Sequence, residues 1–156
     1  LIDLMRMVAS DDGSGSAKIT DALEACRLAV HRNYCSVMVL DSSKVMPFLL
    51  DNLFATMPVQ AVMLTDGLQA LNRLLYESFD VLVISSNLLT LNGRAVISAL
   101  KANAAVNAKT PILYYSSSGT LKAPELTGIK LFRKTPDLAK QLAAEILHIS
   151  QQKHAG

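Results

Sequence analysis

From residue 36 onward, short apolar runs rich in β-branched residues alternate with amphipathic stripes, and few folds tolerate that alternation. The runs are Val37–Leu40, Gln60–Leu64, Val81–Ile84, Ile112–Tyr115 and Ile129–Arg133. Helical spacing follows in Lys44–Met57, Asp66–Ser78, Arg94–Ala102 and Pro136–Gln151. Five short strands interleaved with helices predict an α/β domain whose parallel sheet is covered on both faces. Leu68, Leu71, Leu74 and Leu75 form the expected inner side of one helix; Leu138, Leu142, Ile146 and Ile149 form that of the last. Ser42 or Ser43 is available to cap the first of these helices. Thr135 is the expected cap of the last, with Pro136 at its first helical position, where the missing N–H costs nothing.

In such sheets, sites lie beyond the carboxyl ends of the strands, near the switch in strand order. The positions to inspect are therefore Asp41-Ser42-Ser43, Thr65, Ser85-Ser86-Asn87, Ser116-Ser117 and Lys134. A chain of 156 residues that is 51% apolar can bury a full core, as one domain with at most a small appendage. A net charge of +2 with mixed signs gives no electrostatic case for nucleic acid, and four Tyr, four Phe and no Trp argue against a base-stacking platform. No apolar stretch has the length of a membrane span. His31, His148 and His154 share no site-like spacing, and neither Cys26 nor Cys35 pairs with a His at metal-ligand spacing. Both cysteines are read as reduced thiols of a cytoplasmic protein, Cys26 on the apolar face of a helix.

The first 35 residues read differently. Leu1, Leu4, Met5 and Val8 follow helical spacing, and Asp11-Asp12-Gly13-Ser14-Gly15-Ser16 is a flexible linker by composition. That segment could be a native loop or an engineered tether to a fused peptide. Ile19, Leu23, Cys26 and Val30 form a second stripe in residues 17–33. The expected organisation is a short helix and linker in 1–16, an extension helix in 17–35, and the α/β domain in 36–152. A first residue of Leu rather than Met suggests a piece of a longer chain.

Several segments together resemble the receiver domain of bacterial two-component response regulators. Asp66-Gly67-Leu68-Gln69-Ala70-Leu71 resembles the start of that family's second helix. Phe79-Asp80 and the four apolar residues after it resemble the approach to its phosphoacceptor aspartate. Gly93 of Asn92-Gly93 stands eight residues after Ser85, as the family's glycine does after the acceptor. Pro111–Ser116 resembles its fourth strand, and Lys134 the lysine that ends its fifth. The resemblance covers about residues 36–150. It implies a flavodoxin-like, doubly wound five-stranded parallel sheet in the order 2-1-3-4-5, here with an extra N-terminal helix.

The departures from the family fall mostly at the site. The family holds Mg²⁺ with two acids after the first strand and the acceptor aspartate, oxygen ligands suited to a hard cation. Here Asp41 is the one acid; Ser42 takes the second acidic place and Ser85 the acceptor place. Ser116 could still fill the Thr/Ser role of contacting the phosphoryl group. The switch aromatic is replaced by Leu131, and the prolines usual near the acceptor and after the lysine by Leu89 and Thr135. Lys134 follows Ser116 by eighteen residues, somewhat short for the family, and the segment Ser117–Glu125 carries Gly, Pro and Ser that oppose a helix. A short or missing fourth helix is expected. Asp41 could be a residual metal ligand, cap the next helix or pair with Lys134.

Asp41, Ser42, Ser85, Ser116 and Lys134 thus form a degenerate phosphoacceptor site with no catalytic residue, cofactor or metal expected. The resemblance implies a phosphorylation-independent pseudo-receiver, a protein-interaction module rather than an enzyme. Its partner would be a kinase, an output domain or a localisation factor bound through helical faces, with a dimer through the N-terminal helix as a further option. The alternative is a sensor for a small anionic ligand such as a cyclic dinucleotide, admitted beside Lys134 where acids have become serines. An enzyme using Ser85 as nucleophile would need a general base, and none is visible at the strand ends.

Overall fold

A computed structural model of the protein describes residues 34–103, 106–117 and 128–155. Its elements are β1 (Cys35–Leu40), α1 (Val45–Phe54), β2 (Val59–Leu64), α2 (Gly67–Leu74), β3 (Val81–Ser85), α3 (Gly93–Ala102), β4 (Ile112–Ser116), β5 (Lys130–Arg133) and α4 (Leu138–Ala155). The five strands form one sheet in the order β2-β1-β3-β4-β5, every pair parallel. This is the expected flavodoxin-like order. The chain winds outward from β1 to β2, then crosses back to β3, so the switch point lies between β1 and β3.

Strand side chains alternate between two faces. Val37, Val39, Val81, Val83, Leu113 and Tyr115 join Met46 and Leu50 of α1 and Leu138, Leu142 and Ile146 of α4 in one buried layer. Met38, Leu40, Leu82, Ile84 and Tyr114 join Ala70 and Leu74 of α2 and Val96, Ile97 and Leu100 of α3 in the other. Burial on both sides is why the central strands read as unbroken apolar runs rather than alternating ones. Cys35 opens β1, two residues before the expected start, and is buried. Among the described residues, no helix is long and apolar enough to cross a membrane.

Two helices differ from expectation. The buried positions of α2 are Gly67, Ala70 and Leu74, while Leu68 is 48% exposed and Leu71 is half-buried. Asp66 sets this phase: its Oδ1 accepts from the Leu68 and Gln69 N–H groups at 2.9 and 3.0 Å and starts the helix at Gly67. The regular helix ends at Leu74 rather than Ser78. The Leu74 and Glu77 carbonyls accept instead from the Asn107 side-chain amide, at 2.7 and 2.8 Å. α4 begins at Leu138, because the Leu138 N–H donates to the Thr135 carbonyl at 3.1 Å and closes a turn over Pro136-Asp137. Thr135 therefore contributes a backbone carbonyl here, and Pro136 precedes the helix. The stripes expected in residues 1–10 and 17–33, the linker, Cys26 and the fourth-helix region around 118–127 lie outside the described residues.

Polar anchors fix the amino-terminal ends of the strands. Asp80 Oδ2 accepts from both the backbone N–H and the hydroxyl of Ser36, at 2.8 and 3.0 Å, joining the entries of β1 and β3. Asn107 is buried, and its Oδ1 accepts from the Phe79 N–H at 3.0 Å and the Thr110 hydroxyl at 3.1 Å.

At the opposite end, Gly93 starts α3 against the last residue of β3. A Cβ on Gly93 would sit 2.0 Å from the Ser85 carbonyl oxygen, a backbone atom that cannot swing aside. Gly93→Ala should therefore cost at least about 3 kcal/mol of folding stability, read as a lower urea midpoint at unchanged slope.

Candidate functional site

The carboxyl ends of β1, β3 and β4 bring three polar side chains onto one face of the sheet. Asp41 follows β1, Ser85 ends β3, and Tyr115 is the penultimate residue of β4, registered against Ser85. All three continue the odd-numbered series that faces α1 and α4. Asp41 has no solvent exposure and Ser85 has 2%. The Tyr115 hydroxyl donates a short hydrogen bond to Asp41 Oδ2. Asp41 Oδ1 accepts from the Ser43 N–H at 2.8 Å. Ser85 also hydrogen-bonds the Tyr115 hydroxyl, and its own oxygen accepts from the Asn87 N–H at 3.1 Å. Among the described residues, no buried side-chain polar atom is left without a partner.

Both oxygens of the buried carboxylate are thus engaged by donors from the protein itself. Burial and the adjacent Asp41 carboxylate raise the Tyr115 phenol far above its ordinary range, the Ser85 hydroxyl lowering it only in part. The phenol stays protonated and remains a donor to Asp41. Magnesium, which the family resemblance implies, wants several oxygen ligands with carboxylates among them. The donor set here is one carboxylate with both oxygens occupied, two serines and a protonated phenol, and it does not fit that ion. Among the described residues, no three His, Cys, Asp or Glu side chains cluster as metal ligands.

The other expected site residues part company. Ser42 is half-buried and is held through its backbone, its N–H donating to the Asn87 carbonyl at 3.0 Å. Ser116 is buried at the end of β4, but its place in the strand puts it on the alternate face from Tyr115. Lys134, just past β5, is exposed and makes no ion pair among the described residues. Asp41 therefore does not pair with Lys134; it holds the turn into α1. Ser43 supports that turn, its hydroxyl accepting from the Val45 N–H at 3.1 Å. Leu131, at the switch position, is half-buried against the α2–α3 layer.

The loop after Ser85 is stitched to the loop after β2. The Leu89 N–H donates to the Thr65 carbonyl at 3.0 Å, and the Gly67 N–H to the Leu89 carbonyl at 2.9 Å. Thr90 adopts a left-handed backbone with φ 67°, a strained state for a β-branched residue. Its hydroxyl donates to Asp66 Oδ2 at 2.7 Å. The Gln69 N–H, the Thr90 hydroxyl and the Leu68 N–H together lower the Asp66 pKa.

Tyr115 was not among the residues singled out from the sequence. Its signal was parity: with strands in parallel register, the residue before Ser116 shares a face with Ser85 and with the residue after Leu40. Tyr115→Phe removes the donor and leaves a buried carboxylate oxygen unpaired, an expected loss of about 3 kcal/mol. The pH dependence supplies a second readout. The unfolded phenol ionises near its usual value of about 10, whereas the folded one stays protonated, so the folded state binds more protons above that pH. The wild type should lose about 1.4 kcal/mol per pH unit above pH 10 from this group, and Tyr115→Phe should lack that slope in denaturation at pH 9–11.

No protein-family model matches the sequence, and neither does any curated protein. Solved structures do. The receiver domain of a Francisella response regulator, 1452, is 21% identical with a TM-score of 0.65, over 76% of this chain and 98% of that one. The signal receiver domain of a LuxO repressor protein from Vibrio parahaemolyticus has a TM-score of 0.66 at 15% identity, over 78% and 94%. The receiver domain of the sensor histidine kinase PA1611 from Pseudomonas aeruginosa, solved with magnesium in its active-site cleft, has a TM-score of 0.64 at 13% identity, over 76% and 98%. The chain from β1 to α4 therefore has the fold of response-regulator receiver domains.

Proposed function

We propose that this chain is a receiver-like signalling domain that works without phosphorylation, as a regulatory protein-interaction module. One observation carries the reading: the Asp41 carboxylate is saturated by Tyr115 and Ser43 where a receiver would offer oxygen to a metal. The acceptor position supports it. A carboxylate takes a phosphoryl group to give a reactive acyl phosphate, whereas a serine gives a stable ester and needs a base to activate it. Ser85 is nearly inaccessible, and its hydrogen bonds run to Asn87 and Tyr115, neither of them a base. The same arrangement argues against catalysis by Ser85.

Around this closed site the described strands and helices bury two apolar layers, and apolar side chains stand on the surface at Val45, Phe48, Leu49, Tyr76, Leu89 and Val106. A kinase, an output domain or a localisation factor is the class of partner that such helical and loop surfaces serve. The anionic-ligand alternative needs an open crevice beside Lys134, and no contact at that residue among the described residues favours it.

Incubation with acetyl phosphate and Mg²⁺, followed by intact-mass measurement and a hydroxylamine-lability check, tests the reading. The expected result is an unmodified protein under conditions that label an ordinary receiver. Stoichiometric acyl-phosphate formation would overturn it.

A further inference from the structure

The surface of α1 has a pattern that the closed site does not explain. Val45 is 66% exposed, Phe48 65% and Leu49 40%, all in the first turn and a half of a ten-residue helix. Their spacing places them on one stripe, which Asn52 continues. Met46, Leu50 and Phe54 on the opposite side fill the core, and among the described residues the outer stripe belongs to neither buried layer. Side chains of this size clustered at the surface mark an interaction face.

Charge identifies the occupant. Lys44 and Asp51 are exposed and stand two helical turns apart, both on the same flank of the stripe. Neither makes an ion pair among the described residues. When two copies of a helix pack antiparallel about a two-fold axis, the same flank of each copy meets its counterpart with the direction reversed. Lys44 of one copy then faces Asp51 of the other, and the reciprocal pair forms as well. The axis passes beside Phe48, which packs near its own copy, with Val45 of each chain towards Leu49 and Asn52 of the other. A foreign partner would need to supply both a matching apolar groove and a matching charge order; a second copy of this chain supplies both.

We propose that α1 is the interface of a symmetric homodimer, built on Val45, Phe48 and Leu49 and registered by the Lys44–Asp51 pairs. The inference is independent of whether Ser85 accepts a phosphoryl group. A single short helix buries less than a standard protein interface of about 1,200–2,000 Å², which sets the expected dissociation constant in the micromolar range.

Sedimentation velocity of the full chain across micromolar to high-micromolar concentrations tests the proposal. The wild type should pass from monomer to dimer. Phe48→Glu should weaken the dimer by at least about tenfold while circular dichroism and thermal midpoint stay unchanged, since Phe48 lies outside the core. Lys44→Glu and Asp51→Lys should each weaken it several-fold, and the double variant K44E/D51K should return close to wild type, because both reciprocal pairs are then restored with signs exchanged. A wild type that stays monomeric throughout overturns the proposal. So does a dimer indifferent to Phe48→Glu, which would place the contact elsewhere in the chain, and so does a double charge reversal no better than the single ones. The acetyl phosphate result bears on none of these outcomes.

Discussion

The hydrogen bond from Tyr115 to Asp41 is the constraint around which the carboxyl edge of the sheet is organised. A carboxylate with no solvent exposure is tolerated only when donors replace the water it has lost. Tyr115 and Ser43 are those donors, and each commits a different part of the fold. Tyr115 reaches across β3 to tie β4 to β1, and its ring is held in the layer beneath α1 and α4. Ser43 fixes the turn that aims α1. Ser85, between them, donates its hydroxyl into the same chain of bonds and receives the Asn87 N–H. Hydrogen bonds linked in this way polarise one another, so the set is stiffer than its members taken singly.

The α1 surface and the buried network share a short segment of backbone. Asp41 and Ser43 set where the helix starts, and Lys44 is the residue at its N-cap position. The direction in which Val45 and Phe48 leave the domain is therefore determined by a carboxylate that solvent never reaches. Hydrogen bonds from the Ser43 N–H to Asp41 and from the Val45 N–H to the Ser43 hydroxyl fix the turn, and a fixed turn suits a surface whose register depends on two charges holding their spacing.

Much of the fold was legible because the physics that builds it is local and periodic. Burial on both faces wrote the central strands as unbroken apolar runs, and the apolar stripe of α4 marked that helix. Strand order was not legible from periodicity; it came from motif resemblance, since five similar runs can be arranged in many ways. Of the leucines expected on the inner side of α2, Leu74 is buried and Leu71 packs against the same layer while Leu68 is exposed, and Gly67 lies tight against the Leu91 carbonyl, a contact that apolar spacing does not reveal. Tyr115 was missed because an aromatic inside an apolar run reads as packing, and its hydroxyl gains meaning only once register sets it beside Asp41. Lys134 shows the converse: its place at the end of β5 was clear, but the direction of a long exposed side chain has no local determinant.

Asn107 bears on how the domain comes apart. Its amide uses full capacity, accepting from Phe79 and Thr110 and donating to the carbonyls of Leu74 and Glu77. Those four partners belong to the end of α2, the entry of β3 and the entry of β4. No subset of the three satisfies the side chain, and a partial fold that buried it would carry unmet hydrogen bonds at about 1–3 kcal/mol each. Intermediates that keep one half of the sheet and release the other are thereby raised in energy. A single amide at the bottom of the sheet thus ties the end of α2 to the entries of β3 and β4, and favours their opening together.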